Sequence, residues 1–174
     1  MRTRSIMHRV IAFFMVVAPV MATTPLRPAA AAIPPVELVV VYKSRQVMQL
    51  LKGNEVVRSY QVALGRNPLG HKQKAGDCRT PEGAYCIDRH KKDSRFYKAL
   101  HITYPNRQDL AAARNHNCSP GGDIMIHGLP KGFEDLADIH FRRNWTKGCI
   151  AVNNAEMDEI WRLVADGTPI VIKP

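Results

Sequence analysis

The stretch "VELVVVYKSRQVMQLLKGNEVVRSYQVALG", residues 36–65, decides the fold. Val, Tyr and Leu dominate it, and from Val56 to Leu64 the apolar positions fall at a loose period of two, the spacing of half-buried strands rather than of a helix. "KS" at 43–44 and "KGNE" at 52–55 supply the turns, so the segment predicts successive strands, a β-meander opening. Downstream, the Gly- and Pro-punctuated stretch from Gly65 to His90 predicts a long loop entering a short strand at Ala84–Ile87. Such a loop is where a β-protein tends to place a binding rim. "ALHITYP" (Ala99–Pro105) and "GGDIMIHG" (Gly121–Gly128) predict further strands, the second a four-residue apolar strand with His127 at its end.

Three segments predict helices. "NRQDLAAARN" starts at a capping Asn106, and "FEDLADIHFRRN" covers Phe133–Asn144. The last has Asn153 as N-cap with Glu156 at the third helical position, a capping-box pair. Met157, Ile160, Trp161 and Val164 then follow at i, i+3, i+4 and i+7 as one buried face, with Gly167 as the terminating C′ glycine and "TPIVIK" as a closing strand. The expected architecture is mainly β, with a few short peripheral α-helices.

The 174 residues fit one domain with a core of its own. Residues 1–32 read as an export signal and linker: Arg2, Arg4 and Arg9 precede the apolar run "VIAFFMVVAPVMA", which is too short for a spanning helix, and small-residue exits follow near Ala22 and Ala32. An uncleaved anchor is the alternative. In either case the domain at 36–174 is expected to work outside the cytoplasm, in the periplasm or cell envelope, and to meet the membrane only through that signal. Without the first 32 residues, which hold Arg2, Arg4, Arg9 and Arg27, the net charge of +10 becomes +6. The basic clusters "HKQKAGDCR" and "DRHKKDSR" are interrupted by Asp and lack interleaved aromatics, which argues against nucleic acid and for anionic envelope polymers.

Chemistry concentrates in "DIMIHG" (Asp123–Gly128) and "NWTKGCIAV" (Asn144–Val152). A thiolate attacks carbonyls only with a proton acceptor and polar surroundings nearby. His127 supplies the acceptor, Gly128 and Gly148 let backbone approach closely, and amides near Cys149 offer hydrogen bonds to an oxyanion. On the residues alone, Cys149 is equally open to the reading of a small buried hydrophobe, and His127 to that of a structural histidine. A zinc site finds no support, because no Cys-x-x-Cys or His-Glu-x-x-His spacing occurs; no metal and no cofactor are expected.

These motifs, with "GDCRTPEGAYCI" and the opening meander, resemble the YkuD-like L,D-transpeptidase catalytic domain from about Val36 to Lys173. The resemblance implies a β-sandwich or barrel. It implies Cys149 as nucleophile, His127 as general base and the Gly128 carbonyl as the group that orients the imidazole. Gly148 and Cys149 amides would serve the oxyanion, and Thr146 matches the family's Ser or Thr. The implied substrate is a peptidoglycan tetrapeptide stem, with an amine of another stem or a lysine of an anchored lipoprotein as acceptor. Water in place of the amine would make the same machinery a hydrolase. Lys147 stands where the family usually has histidine, and Ala151 where it often has arginine, so those contacts do not transfer. Lys147 then either favours the thiolate by charge or points to solvent, and its presence keeps open an inactive peptidoglycan-binding module.

Sortases differ in the context around their cysteine, and cysteine amidases place Cys before His in the chain. With Cys149 as a thiol, one disulfide remains available among Cys78, Cys86 and Cys118, with Cys78 to Cys118 the favoured pairing. Arg79 is open to two readings, a contact to a stem carboxylate or a local ion pair.

Overall fold

The computed structural model describes residues 35–174. The export signal expected over 1–32 therefore lies outside the described residues. The strands are β1 (Leu38–Tyr42), β2 (Val47–Lys52), β3 (Glu55–Gln61), β4 (Gly83–Ser94), β5 (Tyr97–Ile102), β6 (Met125–His127), β7 (Ile150–Ala151) and β8 (Pro169–Lys173). Two α-helices, α1 (Arg107–Asn115) and α2 (Asn154–Leu163), accompany them.

The opening stretch forms the meander its alternation predicts: β1 pairs antiparallel with β2, and β2 with β3. In β2, Met48 and Leu50 are fully buried while their neighbours are not. The chain's last strand, β8, lies parallel to β1, on the side away from β2. β4 then carries the sheet round. Its first residues, Gly83–Cys86, pair with β8, and the rest pairs with β5. β6 joins β5 antiparallel, and β7 joins β6 in parallel. Beyond β3, Ala63 bridges Ala151 and Gly65 bridges Thr146, so the two ends of the eight-stranded sheet meet. This closure makes the mainly β, barrel-like architecture, and it draws β7 and the chain just before it into the ladder.

The enclosed core takes side chains from both halves, Met48 and Leu50 from the meander and Ile126 and Ile150 from the site strands, with Met157 and Ile160 of α2 laid over it. Each such fully buried side chain contributes about 1.5–3 kcal/mol. The helix α2 starts as its sequence predicts: Asn153 Oδ1 accepts the Glu156 N–H at 2.8 Å, and Glu156 Oε2 accepts the Asn153 N–H at 2.9 Å. Asn106 and Asp109 form the same box at α1.

Four expectations change. β4 runs on to Ser94 instead of stopping at Ile87. Its charged second half has no apolar alternation, because backbone pairing with β5 rather than burial holds it there. Phe133–Asn144 is not one helix but two 3₁₀ turns, Glu134–Leu136 and His140–Arg142. Phe133, Leu136 and Ile139 recur every third residue, matching the 3₁₀ repeat, and no side chain caps either turn. Gly167 does not end α2. The C-cap is Val164 in extended conformation, and Gly167 donates its N–H to Ile87 O at 2.7 Å, tying the approach to β8 onto β4. Finally, all four cysteines are free, so the expected bridge is not formed. The sulfurs of Cys78, Cys86 and Cys118 face three different backbone carbonyls, those of Gly76, Gly167 and Gln73.

Candidate active site

The parallel pairing of β6 with β7 sets Ile126 opposite Ile150 and His127 opposite Ala151. Side chains of paired residues in a parallel ladder share a face, as do residues two apart on one strand. Cys149 lies immediately before β7, two positions ahead of the residue that pairs with His127, so the ladder brings its stretch of chain up to the end of the neighbouring strand that carries His127. No hydrogen bond joins the two side chains here. Catalytic hydrogen bonds are often long before substrate closes the site.

The His127 ring is 2 % exposed and held on several sides. Its Nδ1 lies 2.7 Å from Gly128 O. A carbonyl oxygen can only accept, so Nδ1 carries the hydrogen and Nε2 keeps the lone pair. Phe96 stacks on the ring at 4.6 Å between centroids, and Trp145 meets it edge-on at 5.7 Å. Burial pushes the imidazole pKa down to about 4, against the Gly128 hydrogen bond that favours the charged ring; nearby His140 adds to the lowering.

Cys149 is half-buried, and its thiol points at Asp123 O, 3.5 Å away. Burial raises its pKa, opposed by the Met125 N–H directed at the sulfur; Asp123 raises it further and the Lys72 ammonium lowers it. The thiol and the imidazole both rest uncharged.

The turn before Cys149 is closed by Thr146, which is 4 % exposed. Its hydroxyl donates to Cys149 O at 2.7 Å and accepts the Gly148 N–H at 3.1 Å. The Gly148 amide that the resemblance assigns to the oxyanion is thus engaged by Thr146, whereas the Cys149 N–H has no hydrogen-bond partner among the described residues. Gly148 has φ +132°, and a Cβ there would lie 2.7 Å from Arg79 O. Only glycine fits that contact. Lys147 is exposed and is not among the charges acting on Cys149, so of its two readings the structure takes the solvent-facing one.

The cation near the sulfur is Lys72, which the sequence reading passed over. It is 3 % exposed, with Nζ 2.7 Å from Asp77 Oδ1 and 3.0 Å from Lys74 O. Burial pushes Asp77 up, but Lys72 and the amides of Gln73, Arg79 and Lys74 outweigh it and hold the carboxyl at about 2. Its burial and its pairing with Asp77 show only in the fold. Arg79 makes no ion pair among the described residues: its Nη1 donates to His71 O at 3.3 Å, and its Nε is buried without a partner. Phe96 was missed because it reaches His127 only through the β4–β5 hairpin. Among the described residues, no group of three or more His, Cys, Asp or Glu is arranged to hold a metal ion.

With this geometry in place, comparison with known proteins is direct. The YkuD family profile, the L,D-transpeptidase catalytic domain, matches residues 36–172. YafK of Escherichia coli K12, an L,D-transpeptidase by name, is 36% identical over 112 residues, covering 63% of this chain and 38% of YafK. Among solved structures, the helical cell shape determining protein Pgp2 of Campylobacter jejuni superposes with a TM-score of 0.60 at 25% identity, over 80% of this chain and 48% of Pgp2. An L,D-transpeptidase of Mycobacterium smegmatis shares the fold, with a TM-score of 0.52 at 17% identity, over 80% of this chain and 59% of that one. The chain spans less than half the length of YafK and of Pgp2. The match over nearly the whole described chain, carried on a closed β fold, places this protein in the YkuD family of L,D-transpeptidase catalytic domains.

Proposed function

We propose that this protein is an exported cysteine L,D-transpeptidase of the cell envelope, acting on peptidoglycan tetrapeptide stems. The observation that carries the reading is the fixed tautomer of His127, its Nδ1 bound to Gly128 O and its Nε2 free, on the strand that pairs with the one Cys149 leads into. Cys149 Sγ attacks the carbonyl of the third stem residue, at the amide it makes with the terminal D-alanine. His127 Nε2 takes the thiol proton as the C–S bond forms, and the Cys149 N–H donates to the oxyanion. The tetrahedral intermediate collapses, His127 returns the proton to the D-alanine nitrogen, and D-alanine leaves a thioester on Cys149. An acceptor amine, from another stem or from the lysine of an anchored lipoprotein, then attacks the thioester. His127 accepts the amine's proton, and the thiol is restored as the new amide forms. Thr146 supports these steps by locking the turn that presents Cys149.

A second reading is hydrolysis of the same thioester by water. The likeness to Pgp2, a cell shape determining protein, favours it because shape can be changed by trimming stems as well as by joining them.

The test is intact-mass analysis after incubation with a carbapenem, beside Cys149→Ala and His127→Ala. A single adduct that requires Cys149 and forms slowly without His127 is the expected result. Its absence on folded protein would leave the inactive binding module. Tetrapeptide stems offered with and without an amine acceptor then separate transfer from hydrolysis by their products.

A further inference from the structure

Gly128 does more than flank His127. Its carbonyl and the N–H of Leu129 belong to one planar peptide unit and point in opposite directions. On one side His127 Nδ1 donates to Gly128 O at 2.7 Å. On the other, Leu129 N–H donates to Asn154 Oδ1 at 2.8 Å. The chain His127, peptide, Asn154 is continuous, and an amide whose N–H is bonded becomes a better acceptor at its oxygen.

The surroundings leave this peptide little freedom. A Cβ on Gly128 would lie 2.5 Å from Asn154 Oδ1 and 3.0 Å from Tyr97 Cβ, so the backbone is gripped from two sides. Asn154 is the first residue of α2, and Asn153 performs the capping, so the Asn154 side chain has no helix duty. The opposite wall is held from the same helix: Tyr97 OH lies 3.1 Å from Asp158 Oδ1, and Lys98 Nζ lies 2.6 Å from that oxygen. The His127 carbonyl itself accepts the Val152 N–H at 3.0 Å.

We propose that Asn154 is the positioning residue of the site, setting the tautomer and orientation of His127 through the single peptide between Gly128 and Leu129. It fills the place that a carboxylate holds in a Ser-His-Asp triad, one peptide removed, and touches no reacting atom. The inference rests on the Cys149–His127 reading above.

The experiment compares the rate of carbapenem acylation across the acid range for the wild type, Asn154→Leu and Asn154→Asp, with thermal unfolding of each and Cys149→Ala as the blank. Asn154→Leu keeps similar bulk without an acceptor and is expected to slow acylation about 10- to 100-fold, the usual cost of losing an orienting outer partner. Its acid limb should move to lower pH, because a weaker bond to Gly128 O favours the imidazolium less. Asn154→Asp keeps the accepting oxygen, and should recover a rate within a few-fold of wild type with its acid limb at higher pH, through the added negative charge. A folded Asn154→Leu with wild-type rate and limb would overturn the inference. So would a slowed variant with an unmoved limb that Asp does not rescue, the behaviour of a merely structural residue. Should Asn154→Leu fail to fold, the limb of Asn154→Asp decides alone, and an unmoved one overturns the proposal. A wild type that forms no Cys149-dependent adduct would remove the proposed function and this inference together, whereas a normal adduct with indifferent Asn154 variants removes the inference only.

Discussion

Lowering the pH should destabilise this protein through His127, by an amount that can be worked out in advance. The ring is held at a pKa of about 4 by burial, against an ordinary 6.5. Above pH 6.5 neither the folded nor the unfolded state binds a proton at this site. Between 6.5 and 4 only the unfolded state does, so stability falls with pH through that window and stops falling below about 4, where both states are protonated. The loss is about 2 kcal/mol between pH 7.5 and 5 and about 3 kcal/mol once complete. Urea denaturation of the wild type and of His127→Phe across this range isolates the site, because the remaining histidines titrate in both proteins. The wild type should lose about 2 kcal/mol more than the variant on going to pH 5. A difference between them that stays flat with pH would refute the claim that burial keeps this imidazole neutral.

The turn before Cys149 gives two further tests. Gly148→Ala places a Cβ 2.7 Å from Arg79 O at φ +132°, and should cost about 1–3 kcal/mol in thermal unfolding and abolish carbapenem acylation. Thr146→Val removes the hydroxyl that serves Cys149 O and the Gly148 N–H, and should cost about 1–3 kcal/mol with a matching loss of acylation rate, while Thr146→Ser keeps both. Lys147→Ala, at an exposed position, should leave stability within about 0.5 kcal/mol and the acylation rate nearly unchanged; a large drop would return a role to that side chain. Because the Cys149 thiol rests protonated, iodoacetamide should modify it slowly at neutral pH while a carbapenem acylates it readily, and fast alkylation would contradict the raised pKa.

What could be read in the sequence was what short-range rules govern. The meander follows from alternation, and α1 and α2 from Asn caps paired with an acid three residues on. The charged half of β4 was not legible, because strand pairing with β5 holds it without a buried face to leave a period. The apolar triplet Phe133, Leu136 and Ile139 misled, since a repeat of three resembles a helical stripe over one turn and departs from it only over several. At the site, the glycine before Cys149 and the His-Gly pair were visible as local patterns, and the resemblance gave them roles. Phe96, Lys72 and Asn154 were not, because each reaches the site through space. Asn154 carried one faint signal: two adjacent asparagines start a helix that needs only one cap.

The two pKa displacements at the site oppose each other in a way that bears on the order of events. The thiol is held above its ordinary range and the imidazole well below its own, near 4. Moving the proton between them is therefore uphill from both ends. A standing thiolate–imidazolium pair is therefore a minor species, and in the proposed mechanism the nucleophile is not made in advance. The energy must come from the bond being formed: as sulfur closes on the carbonyl its proton becomes acidic, while charge builds on an oxygen that the Cys149 N–H can meet. His127 is a weak base by its pKa, so its effectiveness rests on being uncharged at neutral pH and aimed by Gly128 O. That is why the groups that aim the ring matter more here than any cation beside the sulfur. Lys72 alone, committed to Asp77 and Lys74 O, does not offset the burial of the thiol.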